Sequence, residues 1–153
     1  MSIKEKILSL GLSLPTAAAP VAAYVPAVKS GNLVFTAGQL PVVDGTLLKE
    51  GKVGKDVTAE DAKELAQICA LNALAAISLV ADLDQIERVV RVGGFVNCAP
   101  GFTAIPGVIN GASEFLIKIF GDVNGKHART AVGVAELPLD APVEVEVIVQ
   151  LKN

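Results

Sequence analysis

The end of the chain holds two strand-like runs, His127-Ala-Arg-Thr-Ala-Val-Gly-Val-Ala-Glu-Leu-Pro138 and Pro142-Val-Glu-Val-Glu-Val-Ile148. In the second run a valine at every other position predicts one face buried against a core, with Glu144 and Glu146 on the other face. Arg129 opens the first strand, and Glu144 lies early in the second. If the runs form a hairpin, these two side chains meet, so that the planar guanidinium binds a small anion while the carboxylate handles a proton or a water. The alternative is a surface salt bridge between neighbouring strands.

The composition predicts one domain, residues 1–153, with an aliphatic core. The chain is 52% apolar with a mean hydropathy of +0.54, but only 4% of its residues are aromatic. The core is therefore expected to consist of Ala, Val, Leu and Ile. This is more apolar surface than a small monomer buries comfortably, which predicts a homo-oligomer.

Charge and aromatic content argue against a nucleic-acid partner. The net charge is −3, there is no tryptophan and Tyr24 is the only tyrosine, whereas nucleic-acid binders usually carry a basic patch and stacking aromatics. The longest uncharged apolar stretch, residues 65–81, is interrupted by polar residues and is too short to span a bilayer. The first residues show no signal-peptide pattern. Cys69 and Cys98 are therefore expected to be reduced thiols in a cytoplasmic protein with no membrane partner.

Local patterns predict the elements of the N-terminal part. Residues 2–10 have helical apolar spacing and end at a glycine. The Pro- and Ala-rich residues 14–23 cannot hold a helix and predict an extended segment. Two β-rich runs, residues 24–28 and 33–37, flank a glycine-containing turn at residues 30–32, which predicts a hairpin.

The remaining elements alternate between helices and strands. One helix begins after the N-cap Thr58, and a second has Pro106 in its first turn and runs to Phe120. This order predicts an α+β fold, in which a single mixed sheet carries two main helices on one face, with a short extra helix at the N-terminus. Further strands are predicted near residues 46–48, at 86–95, at 129–135 and at 143–151, with a turn at Asp44-Gly45 and a loop at residues 121–125.

Several chemistries are excluded by the residues present. His127 is the only histidine and the two cysteines are far apart, so a zinc site of the usual His/Cys kind is not expected. There is no Gly-x-x-x-x-Gly-Lys-Ser/Thr phosphate loop, no Gly-x-Gly-x-x-Gly and no Gly-x-Ser-x-Gly elbow. These common metal-binding and nucleotide-binding patterns are therefore not expected in this chain. A lone histidine also suits metal-free ribonuclease chemistry poorly, because that chemistry usually needs two acid–base groups.

Three polar residues are candidates for a site, each with an ordinary alternative. His127 shares a strand face with Arg129 if the chain is extended there; otherwise it is a loop-edge histidine. Tyr24 either contacts a substrate or packs in the core or at its rim. Asn110 either lines a site or is a polar residue near the start of its helix.

Three segments together resemble the Rid/YjgF family of reactive-intermediate (enamine/imine) deaminases, once labelled L-PSP endoribonucleases. They are Ser30-Gly-Asn-Leu-Val-Phe-Thr-Ala-Gly-Gln-Leu-Pro41, Val89-Val-Arg-Val-Gly-Gly-Phe-Val96, and the run from Ala128-Arg129 through Glu136-Leu-Pro138 to Val143-Glu-Val-Glu146. The resemblance covers nearly the whole chain in order. It is closest to a longer branch with an extra N-terminal helix, often catalogued as chorismate-mutase-like or as endoribonuclease.

The resemblance implies a homotrimer of chorismate-mutase-like subunits with ligand clefts between them. In the family, an arginine at the place of Arg129 grips the substrate carboxylate, and a glutamate at the place of Glu144 positions the hydrolytic water. Tyr24, Gly38 and Asn110 match cleft residues by position. The implied reaction, that of 2-iminobutanoate/2-iminopropanoate deaminases, hydrolyses a small 2-imino or enamino acid to a 2-keto acid and ammonia, with no metal or cofactor.

Two positions depart from the family pattern and keep other functions open. Ala37 stands where many deaminases carry serine, and Ala131 stands where many carry cysteine. The alternative is a non-catalytic trimer that binds a small carboxylate metabolite, a 2-imino or 2-keto acid, without turning it over. An endoribonuclease and a chorismate mutase are further alternatives. The acidic charge argues against the first, and the second rests on fold alone.

Overall fold

A computed structural model of the protein describes residues 1–20 and 22–153. No helix in these ranges is both long and apolar enough to cross a membrane. The helices are α1 (Ile3–Ser9), α2 (Ala59–Ile77) and α3 (Ile105–Asn124). The strands are β1 (Ala27–Ser30), β2 (Leu33–Thr36), β3 (Val42–Val43), β4 (Thr46–Leu47), β5 (Ile86–Asn97), β6 (Ala128–Val134) and β7 (Val143–Leu151).

One mixed sheet of five strands, in the order β1-β2-β7-β5-β6, carries the two long helices on a single face, which confirms the predicted α+β class. Neighbouring strands are antiparallel except β5 and β6, which run parallel because α3 connects them as a crossover. The valines that alternate along β7 are buried among the residues of the two helices. We call this buried side of the sheet the helix face, and the opposite side the open face.

The open face carries two sets of apolar side chains. Val28, Phe35 and Ile148 are register partners across β1, β2 and β7, and Phe95 and Val132 are register partners across β5 and β6. Val28 is 51% exposed, and Phe35 and Val132 are each 40% exposed. The solvated face of an antiparallel sheet is usually polar. This face is instead partly apolar.

A glycine allows α2 and α3 to pack closely. α2 begins after Thr58, whose side chain accepts a hydrogen bond from the Asp61 N–H at 3.1 Å. Where the helices meet, a Cβ atom on Gly111 would lie 1.8 Å from the carbonyl oxygen of Lys63. That oxygen belongs to helical backbone, which cannot move aside like a side chain. α3 therefore reaches its position against α2 because residue 111 has no side chain.

We expect Gly111→Ala to lower the free energy of unfolding by roughly 1–3 kcal/mol, because overpacking forces the helix backbones apart. Gly107→Ala in the same helix is the matched control, since a Cβ there would meet nothing within 4 Å. Alanine should even favour that helix by up to about 1 kcal/mol. Urea denaturation measures both variants. Equal stabilities would contradict the close packing of α2 and α3.

The first hairpin differs from its prediction in both its start and its turn. Its first strand is Ala27–Ser30 rather than residues 24–28, because Pro26 has no N–H for the ladder and pairing begins after it. The turn is the two-residue Gly31-Asn32 rather than residues 30–32. Gly31 adopts a φ of +59°, which a two-residue hairpin turn requires of its first central residue.

Glycines also shape two later parts of the chain. The predicted turn at Asp44-Gly45 is confirmed: it joins β3 and β4, and both of its residues have positive φ, 50° and 78°. The predicted helix end at Phe120 agrees with the structure, because Gly121 takes φ 83° and ψ 170° and interrupts the helix there. The predicted loop at residues 121–125 is only partly right, because residues 122–124 form one further helical turn within the range of α3.

The last two strands are not neighbours, which corrects the predicted hairpin. β5 lies between them: Val92 pairs with Arg129 of β6 on one side and with Val147 of β7 on the other. Because α3 returns the chain parallel to β5, β6 takes the outer edge of the sheet and β7 pairs with the other edge of β5. Arg129 and Glu144 therefore do not meet across a hairpin within one chain.

Candidate active site

Arg129 lies on the helix face of the edge strand β6 and is held by α3. Its Nη1 donates to Asn110 Oδ1 at 2.8 Å and to Ser113 Oγ at 3.2 Å, and its Nη2 donates to the Pro106 carbonyl at 3.4 Å. All three acceptors are uncharged oxygens of one helix. Within residues 1–20 and 22–153, no carboxylate forms a salt bridge with this guanidinium. Arg129 is thus held in place without being neutralised.

The guanidinium retains donors for a ligand. It has five N–H groups, and α3 accepts from three of them, so two remain among the described contacts. The side chain is half-buried, which strengthens an ion pair relative to one in open water. A planar cation with two free N–H groups suits a carboxylate. We call Arg129, Asn110 and Ser113 the arginine half-site.

Ser113 is a site residue that the sequence analysis did not single out. It follows Asn110 by three residues, and helical residues at this spacing lie side by side. A pair of polar residues at this spacing on a mostly apolar helix was the signal by which Ser113 could have been predicted from the sequence. His127 also contacts Ser113, with Nε2 at 2.9 Å from Oγ. The structure therefore brings His127 to the same side as Arg129, and it brings Asn110 to the guanidinium.

Glu144 lies on the open face of β7, beside Gly38. A Cβ atom on Gly38 would lie 2.0 Å from Oε1 of Glu144. The carboxylate therefore occupies the space that a side chain at position 38 would need. Gln39 and Val145 exchange backbone hydrogen bonds of 2.8 and 3.0 Å, which hold this segment against β7. Burial raises the pKa of Glu144, and the charge of Glu146 raises it further. A raised pKa makes the carboxylate a stronger proton acceptor.

Tyr24 and Gly38 line one cavity of about 540 Å³. Its walls include the Pro- and Ala-rich residues 15–20 and the side of α2 that carries Asn72. Tyr24 is 49% exposed, so it lies at the rim of the cavity. Glu144 itself is not among the residues that line this cavity; it adjoins the cavity only through Gly38. We call Glu144 and Gly38 the glutamate half-site.

The two half-sites are separate within one chain. Arg129 is on the helix face of β6 and Glu144 is on the open face of β7, with β5 between the two strands. The structure brings Arg129 to Asn110 and Glu144 to Gly38, but it does not join these two groups. The predicted meeting of Arg129 with Glu144 is wrong for a single subunit.

The two positions that depart from the family pattern carry only methyl groups near the half-sites. Ala131 follows Arg129 by two residues and so points to the same side of β6, and Ala37 immediately precedes Gly38. Both cysteines are free thiols, as predicted. Burial raises the pKa of Cys98, and the nearby Lys52 only partly opposes this, so the thiol is not activated.

The chain belongs to the family described as "YjgF/chorismate mutase-like, putative endoribonuclease", whose family model matches residues 4–151. Protein TCP17 of Trypanosoma cruzi is 43% identical over 152 residues, which covers 99% of this chain and 95% of that protein. The 2-iminobutanoate/2-iminopropanoate deaminase of Dermatophagoides farinae is 31% identical, over 92% of this chain and 95% of that protein. The predicted membership of the Rid/YjgF family is confirmed.

Solved structures of relatives confirm the chorismate-mutase-like fold. The crystal structure of a "putative endoribonuclease" from Shewanella oneidensis MR-1 aligns with a TM-score of 0.94 at 29% identity, covering 99% of this chain and 100% of that one. The crystal structure of Escherichia coli TdcF with bound serine aligns with a TM-score of 0.60 at 25% identity, covering 90% and 94% of the two chains. The α+β architecture is therefore shared along nearly the whole chain.

We expect Gly38→Ala to fold but to displace the Glu144 carboxylate, because the new methyl group would occupy its space. The loss in free energy of unfolding should be about 1 kcal/mol, at the low end of overpacking costs, since the contact is with the end of a flexible side chain. In a Glu144→Ala background this loss should disappear, and urea denaturation of the four proteins measures the coupling. An equal loss in both backgrounds would show that Gly38 is required for another reason.

Proposed function

We propose that the protein hydrolyses small 2-imino acids to 2-keto acids and ammonia, in clefts between the subunits of a homotrimer. The observation that carries this proposal is the guanidinium of Arg129: α3 orders it through three hydrogen bonds, and two of its N–H groups have no partner among residues 1–20 and 22–153. A cation of this shape binds the carboxylate that every 2-imino acid carries. The carboxylate then fixes the position of the C=N carbon within the cleft.

Glu144 is the general base in this proposal. Its carboxylate, with a raised pKa, takes a proton from a water whose oxygen attacks the carbon of the protonated imine. The product is a tetrahedral carbinolamine. Glu144 returns the proton to nitrogen and is then a free carboxylate again. As the C–N bond breaks, this carboxylate takes the proton of the hydroxyl group, the C=O bond of the 2-keto acid forms, and ammonia leaves and takes up that proton as ammonium. Water supplies the new oxygen, so the step balances without an oxidant.

Each cleft combines the half-sites of two neighbouring chains. The arginine half-site lies at the β6 edge of the sheet, and the glutamate half-site lies toward the β1–β2 edge. A closed ring of copies places unlike edges side by side, so the arginine half-site of one copy faces the glutamate half-site of the next. The partly exposed Val28, Phe35 and Val132 of the open face offer the apolar surface that such a ring buries.

Relatives and cavity size support the proposal. The Dermatophagoides farinae relative is named as a 2-iminobutanoate/2-iminopropanoate deaminase, and the TdcF structure holds serine, a small molecule with a carboxylate. The cavity of about 540 Å³ beside Tyr24 and Gly38 is within the range of small-molecule sites. The relatives favour a small carboxylate ligand, and the cavity volume agrees only with a small molecule.

A non-catalytic trimer that binds a small carboxylate metabolite is the second candidate. Ala37 and Ala131 favour it, because they offer no hydroxyl or thiol to a substrate. The two candidates share Arg129 and differ in Glu144, which only the enzyme needs for turnover. The endoribonuclease of the family description fits less well, since a chain of net charge −3 with no tryptophan lacks the usual features of an RNA site.

Glu144→Gln tests the proposed base. We expect kcat for 2-iminobutanoate, generated in situ, to fall about a hundredfold, because the amide cannot accept the water's proton. Glu146→Gln is the matched control, since it removes the neighbouring carboxylate of the same strand face and should leave kcat within a few-fold. Equal kcat values in the two variants would contradict the role of Glu144. A wild type without turnover would favour the binding trimer.

Arg129→Ala tests carboxylate binding. The dissociation constant for 2-ketobutanoate, measured by calorimetry, should rise at least tenfold, because a hydrogen-bonded charge is worth about 1.5–3 kcal/mol. Arg88→Ala, which removes an exposed guanidinium from β5, is the control and should bind like the wild type. If Arg129→Ala binds 2-ketobutanoate as tightly as Arg88→Ala does, the guanidinium has only a structural role.

A further inference from the structure

A chain of hydrogen bonds runs from the end of α3 to the guanidinium of Arg129. The Gly125 carbonyl oxygen lies 2.6 Å from Nδ1 of His127, and Nε2 of His127 lies 2.9 Å from Oγ of Ser113. Nη1 of Arg129 lies 3.2 Å from the same Oγ. Gly125 and Ser113 are buried, so water is kept from both ends of the histidine contact.

The direction of each hydrogen bond follows from the groups involved. A carbonyl only accepts, so Nδ1 of His127 carries a hydrogen and donates to Gly125. A guanidinium only donates, so Ser113 Oγ accepts from Arg129. The one hydroxyl hydrogen of Ser113 is then directed to Nε2 of His127, which is bare in this tautomer. All four groups are satisfied by a single arrangement, and it requires a neutral histidine.

The surroundings of His127 favour that neutral form. Burial lowers the pKa of His127, and the charge of Arg129 lowers it further, although the hydrogen bond to Gly125 has the opposite effect. Protonation would give Nε2 a hydrogen of its own, and the Ser113 hydroxyl would lose its acceptor. The neutral ring is therefore the form that completes the hydrogen-bond chain.

We infer that Ser113 and His127 are positioning residues for Arg129, an inference that rests on the carboxylate-binding role proposed above. His127 takes the hydroxyl hydrogen of Ser113 and so turns the lone pairs of Oγ toward the guanidinium. Without this acceptor the hydroxyl rotates freely, and its hydrogen competes with the N–H of Arg129. Asn110, one turn earlier on α3, accepts from the same Nη1. In this role Ser113 and His127 act on the substrate only through Arg129.

The test compares the affinity for 2-ketobutanoate of Ser113→Ala, His127→Phe and His127→Gln by calorimetry. Ser113→Ala and His127→Phe should bind about tenfold more weakly, the loss expected for one hydrogen bond to a charged group. His127→Gln should keep most of the affinity, because its amide offers an acceptor near the position of Nε2. Ser78→Ala is the control: the hydroxyl of Ser78, the C-cap of α2, donates to the Ala75 carbonyl at 2.6 Å and has no contact with Arg129, so this variant should bind like the wild type.

The inference also requires that the effect of Ser113→Ala on the affinity for 2-ketobutanoate depends on Arg129. In an Arg129→Lys background, Ser113→Ala should change the affinity less than about twofold, because a flexible ammonium does not depend on the same support. A purely structural serine would weaken binding equally in both backgrounds. That outcome, or wild-type affinity in Ser113→Ala, would overturn the inference.

A second measurement uses the free protein and separates this inference from the proposed function. Nitrogen relaxation at Nε of Arg129 reports how ordered the guanidinium is on the fast timescale. Ser113→Ala and His127→Phe should lower its order parameter, and His127→Gln should restore it. If the wild type neither binds 2-ketobutanoate nor hydrolyses imines, the proposed function fails. An unchanged order parameter in Ser113→Ala would reject the positioning role in either case.

Discussion

β5 lies between the strand that carries Arg129 and the strand that carries Glu144, and the layout of the candidate site depends on this placement. The crossover through α3 makes β6 parallel to β5 and puts it at the sheet edge, so β7 pairs on the other side of β5. Residue alternation then turns Arg129 toward the helices and Glu144 toward the open face. One chain therefore carries the Arg129 guanidinium on an edge strand of the sheet and the Glu144 carboxylate on the central strand.

This separation preserves the chemical character of both groups. Arg129 is ordered by uncharged oxygens of α3, and within the described part of the chain two of its N–H groups have no partner. Glu144 is partly buried near Glu146, and its pKa is raised. Had the two formed a salt bridge, the pair would have used the fork of the guanidinium and lowered the pKa of the carboxylate. Because the two groups are apart, the guanidinium of Arg129 can bind an anion and the carboxylate of Glu144 can accept a proton.

The sequence predicts most elements of this fold because their signals are local: the Thr58 cap and the alternating valines of β7 are readable within a few residues. Strand order is different, because the pairing of β6 with β5 depends on where α3 packs, which no local pattern reveals. Ser113 has a local signal in its spacing from Asn110. A serine in a helix can be assigned a role, however, only once Arg129 is known to contact it. The roles proposed for Arg129 and Glu144 came mainly from the family resemblance.

Subunit mixing tests the central claim, that each site takes Arg129 from one chain and Glu144 from the next. Arg129→Ala and Glu144→Gln proteins, each strongly impaired alone at a low substrate concentration, are unfolded together in equal amounts and refolded into mixed trimers. Random assembly gives about one quarter of the clefts both intact residues, so the mixture should recover roughly a quarter of the wild-type rate of 2-iminobutanoate hydrolysis. A mixture no more active than its two parents would contradict the claim, because it would mean that both residues of a site belong to the same chain.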